Sequence, residues 1–153
     1  AERLARALDG NAEGASNEIR EVVELLEMYA EGQGTGIGVI GFSLGAAYAL
    51  QLSGEEPDRV RAEVVFYGAG GGDFARARAT YLGHFAENDP YEPAESVEWL
   101  TNALTSAGRS ATIHRYDGVG HWFFEPDRSD AYDAAAAKLA WERTAAFLLE
   151  NLT

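Results

Sequence analysis

The chain has 153 residues, 46% of them hydrophobic, which suits one globular domain and is not the composition of a disordered chain. A formal charge of −13 sets it against nucleic acid or an anionic membrane as a partner. Zero cysteines exclude disulfides, thiolate metal sites and a thiol nucleophile, and they suit a reducing cytoplasm, the expected location.

No apolar run approaches the roughly 20 residues that span a bilayer, and no basic-then-apolar leader opens the chain. Residues 17–31 place Ile19, Val22, Val23, Leu26 and Tyr29 or Ala30 on one helical face. Ser16 or Asn17 is the expected cap, and Gly32 and Gly34 the expected stop. Ile37–Phe42 is a short apolar run that reads as a buried strand. Leu44–Ser53 reads as a helix stopped by Gly54, and Pro57-Asp58 as a turn. Residues 63–67, EVVFY, form a β-branched and aromatic strand, followed by the loop GAGGGD at 68–73. Residues 80–85 are a candidate strand ending in the turn Glu87-Asn88-Asp89-Pro90. Residues 94–107 read as a helix with Val97, Leu100 and Leu104 on one face. A strand at 110–116, an aromatic-rich loop at 117–128 and an Ala-rich helix at 130–149 complete the chain. Strands alternating with helices predict an α/β fold with a mostly parallel sheet in one domain, 1–153.

Gly41-Phe42-Ser43-Leu44-Gly45 spells G-x-S-x-G between a predicted strand and a predicted helix, the context in which the pattern lifts a nucleophile off the sheet. The flanking glycines are expected because side chains there would collide with strand and helix. The Leu44 N–H, at the helix start, is the expected oxyanion donor. Gly36, Gly38 and Gly41 also spell G-x-G-x-x-G, but inside the strand rather than after it, so a dinucleotide site is not expected.

A serine hydroxyl needs a base. His84 and His114 fall within predicted strands, where a structural role is the rule. His121 lies in a Gly-rich loop beyond the last predicted strand, where catalytic groups of parallel sheets collect. Asp89 is the expected carboxylate partner, with Asp73 the alternative and Asp117 too close in sequence. Phe42, Tyr91 and Trp122 are candidates to line a substrate pocket, with Phe123 and Phe124 nearby.

Three blocks, GVIGFSLGAAYAL (38–50), YLGHFAENDPYEP (81–93) and the run from Tyr116 to Leu152, resemble the dienelactone hydrolase family of α/β-hydrolases. The resemblance implies a three-layer sheet with helices on both faces. It puts Ser43, Asp89 and His121 at the nucleophile, acid and base positions. It also implies hydrolysis of small esters or lactones without metal or cofactor. The best-known members carry Cys at the Ser43 position and an Arg at the position of Glu125, where Glu would repel a substrate carboxylate. The family's early strands, a second oxyanion N–H and a Glu near the nucleophile are expected to precede residue 1. The chain is then the C-terminal portion of the fold, completed by an N-terminal segment or a second copy. The competing reading is a non-catalytic hydrolase remnant that serves as a binding or assembly module.

Overall fold

The computed structural model describes residues 12–29 and 36–152. It divides into two units, Ala1–Gly34 and Thr35–Thr153. In the first, α1 runs Ala12–Tyr29. It starts earlier than the capping pattern implies, so Ser16 and Asn17 lie inside it and Asn17 accepts a hydrogen bond from Arg20. A single Gly14 costs a helix only about 1 kcal/mol, too little to stop it. The expected stop at Gly32 and Gly34 lies outside the described residues.

The second unit is built from β1 (Ile37–Phe42), α2 (Leu44–Glu55), β2 (Val60–Phe66), β3 (Thr80–Asn88), α3 (Ala94–Ser106), β4 (Ala111–Gly120) and α4 (Ala134–Leu152). The four strands form one parallel sheet in the order β1-β2-β3-β4. Alternation along β2 assigns the faces. Val64 and Phe66 join Leu82, Tyr116, Phe123 and Ala140 in the core beneath α4, while Glu63 points the other way, toward Ser53 of α2. Ile113 and Arg115 of β4 line a cleft with Val97 and Thr101 of α3. His114, between them, stacks toward His84 and the α4 side. So α2 and α3 share one face and α4 covers the other, giving the three-layer α/β fold.

Several boundaries differ from those the sequence predicts. Gly54 does not stop α2, which continues to Glu55; a Cβ there would lie 2.8 Å from the Asp73 carbonyl, so the glycine serves close packing. β1 is only partly covered, with Gly41 its one buried residue, because among the described residues it pairs with β2 alone. α4 begins at Ala134, since Asp133 Oδ1 accepts from the N–H groups of Ala135 (3.0 Å) and Ala136 (2.8 Å). The turn at 87–90 and the loop from 117 both give up residues to strands. β3 and β4 run on together to a last rung, Asn88 opposite Gly120. That extension places the next residues of the two strands, Asp89 and His121, side by side.

Candidate active site

The elbow comes first. Ser43 joins β1 to α2 at φ 49° and ψ −118°, in the left-handed half of conformational space that side chains rarely occupy. Its N–H donates to the Phe66 carbonyl (2.9 Å), which fixes the turn to the end of β2. At Gly41 a Cβ would lie 2.6 Å from the Gly45 carbonyl and 2.7 Å from the Ala46 Cα, so glycine is required there. Gly45 differs from expectation: a Cβ there would meet no atom within 4 Å. The sterically demanding partner is instead Gly68, where a Cβ would lie 2.2 Å from the Ser43 carbonyl oxygen. Sequence spacing gave no sign of it, because Gly68 is 25 residues further along and reaches the elbow only through β2 pairing.

The three residues proposed from sequence come together. Ser43 Oγ is 2.9 Å from His121 Nε2, and His121 Nδ1 is 2.6 Å from Asp89 Oδ2. The other Asp89 oxygen accepts from the N–H groups of Tyr91 (2.9 Å) and Glu92 (3.0 Å). His121 and Asp89 are both buried, in surroundings where such bonds are stronger than in water. Asp73, the alternative carboxylate, accepts instead from the Arg76 N–H in a surface turn (3.3 Å).

His84 and His114 have the structural character expected. His84 is fully buried on β3, bonded through Nδ1 to the Tyr116 hydroxyl (2.8 Å) and through Nε2 to Thr144 Oγ1 (3.0 Å). Burial, then His114 and Arg143, push it down to about 3, so it stays neutral. Burial lowers His114 as well.

The aromatic candidates divide into two groups. Tyr91, exposed, and Trp122 pack on His121, with ring centroids 5.1 Å and 4.7 Å from the imidazole. The Arg128 guanidinium lies 3.8 Å above the Trp122 ring. Phe42, on the other side of Ser43 in sequence, stacks on Phe66 (4.8 Å) and Phe124 (5.7 Å). Phe123 is wholly buried and belongs to the core. A cleft of about 370 Å³ near the end of β2 is lined by Ala69, Gly70, Glu92, Glu95, Ser96 and Trp99, without Ser43, Asp89 or His121.

Tyr67 and Glu125 form a contact that sequence reading missed. The Tyr67 hydroxyl donates to Glu125 Oε1 at 2.7 Å, and the Tyr67 ring lies 4.8 Å from the His121 ring. No motif spacing announces a pair 58 residues apart. Among the described residues, no group of three or more His, Asp or Glu is placed to hold a metal ion, and no helix is long and apolar enough to cross a membrane.

With this geometry stand three likenesses and a family match. The model of the dienelactone hydrolase family matches residues 1–152. The chain is 31% identical over 120 residues to Protein usf of Aquifex pyrophilus, covering 76% of this chain and 52% of that protein. It is 32% identical over 131 residues to the carboxymethylenebutenolidase of Rhodococcus opacus, covering 76% of this chain and 50% of that one. The chain therefore spans about half the length of the curated relatives it matches. Among solved structures, the dienelactone hydrolase-like promiscuous phosphotriesterase P91 from metagenomic libraries superposes with a TM-score of 0.85 at 20% identity, over 99% of this chain and 67% of that one. At that identity the likeness establishes the fold.

Proposed function

The chain belongs to the dienelactone hydrolase family, and from that premise we propose that it is a serine-dependent carboxylic ester hydrolase using Ser43, His121 and Asp89. The observation that carries this reading is the continuous path Ser43 Oγ–His121 Nε2 (2.9 Å) and His121 Nδ1–Asp89 Oδ2 (2.6 Å).

In the proposed reaction Ser43 Oγ attacks the ester carbonyl carbon and its proton passes to His121 Nε2. Asp89 fixes the imidazole tautomer and stabilises the imidazolium. The Leu44 N–H, first in α2, stabilises the carbonyl oxygen as it becomes an oxyanion. The C–O bond to the leaving alcohol then breaks, and the alcohol takes the proton from Nε2. Water attacks the acyl-Ser43 ester, loses a proton to His121, and the acid departs as Ser43 recovers its proton.

The chain has a hydroxyl where the best-known members of the family have a thiol. A free hydroxyl does not ionise near neutral pH, so dependence on His121 is more complete. Glu125 places a carboxylate in the loop that begins at His121, bonded to the Tyr67 hydroxyl, which favours neutral esters or lactones over anionic ones. Tyr91, Trp122 and Phe42 are proposed to flank the acyl group.

The test is labelling by a fluorophosphonate probe together with turnover of a neutral aryl ester. Labelling at Ser43, with a burst followed by steady turnover, is the expected result. A Ser43 that is never acylated, in folded protein, would leave the non-catalytic module as the better reading.

A further inference from the structure

Tyr67 is the last residue before the Gly68 contact with the elbow, and it stands at φ 36°, a backbone conformation unfavourable for any residue but glycine. It is nonetheless a tyrosine, wholly buried. Its N–H donates to the His84 carbonyl (2.8 Å), which ties it to β3. Its ring packs on His121 (4.8 Å) and edge-on against Phe123 (5.7 Å), the residues at the start of the loop after β4. Its hydroxyl donates to Glu125 Oε1 (2.7 Å) in the same loop. That loop is tightly turned: the Glu125 N–H donates to the Trp122 carbonyl (3.0 Å), and the Arg128 N–H to the Glu125 carbonyl (3.0 Å). Holding Glu125 therefore holds the turn that begins at His121. Strain retained beside a candidate site points to a task that glycine would not perform.

We infer that Tyr67 and Glu125 are positioning residues: their hydrogen bond ties the end of β2 to the loop carrying His121 and sets the imidazole toward Ser43. The inference rests on the reading of His121 as general base. Burial, and then the bond to Glu125, push the Tyr67 hydroxyl well above its ordinary range, so it remains a donor wherever the enzyme works.

The experiment uses the whole chain and a neutral short-chain aryl ester. Tyr67→Phe keeps the ring and removes the donor; kcat should fall about tenfold with KM within about twofold. Glu125→Ala should match it, and the double variant should fall no further, since one bond is lost. Glu125→Gln keeps an acceptor oxygen and should retain most of kcat. The second readout is the far-downfield proton NMR signal of the His121–Asp89 bond. It should be sharp in the parent and in Glu125→Gln, and broadened in Tyr67→Phe. A Tyr67→Phe protein with full kcat and an unchanged signal overturns the inference while leaving the function intact. Full activity in His121→Ala overturns the function instead, and the NMR comparison still decides whether the pair orders the imidazole.

Discussion

At Ser43 a side chain is held at a φ of 49°, and a non-glycine residue in such a conformation costs on the order of 1–3 kcal/mol. The return on that strain is a hydroxyl 2.9 Å from an imidazole. If the three side chains act as a unit, Ser43→Ala and His121→Ala should each lower ester turnover by roughly 10³-fold or more, without unfolding, and the double variant should lose little beyond either one. Steady-state kinetics alongside circular dichroism check this. Activity in His121→Ala close to that of the parent would remove the base from the account. Glu125 supplies a second expectation. A neutral aryl ester should be turned over faster than an analogue with a carboxylate near the scissile bond. Glu125→Arg should narrow that preference by supplying a carboxylate partner, while kcat for both falls because the Tyr67 acceptor is gone. Competition between the two substrates measures the ratio. A parent that prefers the anionic ester would show that a cation such as Arg128 governs recognition.

The packing of α2 against the sheet holds an element-scale anomaly. Glu63 of β2 is wholly buried, and neither carboxyl oxygen has a hydrogen-bond partner among the described residues. The nearby Ser53 hydroxyl is engaged by the Leu50 carbonyl (2.9 Å) and the Tyr81 hydroxyl (2.8 Å). Burial pushes the Glu63 carboxyl up to about 8, against a smaller opposing pull from Ser53. A carboxyl raised in the folded state binds its proton there more tightly than in the unfolded chain. Its contribution to stability is therefore full below about pH 4.5 and is lost as pH rises to about 8, on the order of 4–5 kcal/mol in all. Glu63→Leu should raise the melting temperature, and raise it more at pH 9 than at pH 5. An equal gain at both values would show that the carboxyl is not protonated in the fold. Elbow and strand ends give a second contrast. Gly68→Ala would drive a Cβ against the Ser43 carbonyl and should cost several kcal/mol together with most of the activity. Gly45→Ala meets nothing and sits in a helix, where alanine is favoured by about 1 kcal/mol. It should leave stability equal or improved, as thermal melts of the two variants would show.

At the scale of the whole molecule the open feature is the outer edge of β1. Among the described residues its only strand partner is β2, and Phe42 at its end and Leu44 just beyond it are exposed. An unpaired parallel strand with apolar neighbours is a template for association. Relatives about twice as long as the matched span carry further chain that could supply such a strand. We expect the edge to be paired in the working protein. Supplying in trans the part of a relative that lies outside the matched region should raise melting temperature and ester turnover together. A protein that is monomeric by light scattering, and whose turnover and melting temperature do not respond, would refute this. The charge of −13 should keep encounters with nucleic acid weak throughout, since like charges repel.

The alternation of apolar runs with helical periodicity determined, by itself, the parallel α/β sheet, and the type and order of the elements from β1 onward. The G-x-S-x-G setting singled out Ser43, and its loop context singled out His121. These are local properties: a strand's pattern and an elbow's glycines are written in consecutive residues. Tertiary structure decided what depends on partners distant in the chain. β3 and β4 lengthened because each offers the other hydrogen-bond partners up to Asn88 and Gly120, and that last rung, not the Asp-Pro turn, aligns Asp89 with His121. Gly68 rather than Gly45 became the constrained glycine because β2 carries it against the elbow. β1 read as buried from its composition, yet burial depends on neighbours, and on its outer side the described residues supply no strand. Glu125 read as a lone repulsive charge. Only the fold shows its carboxylate bonded to Tyr67, a residue whose strained backbone no sequence pattern encodes.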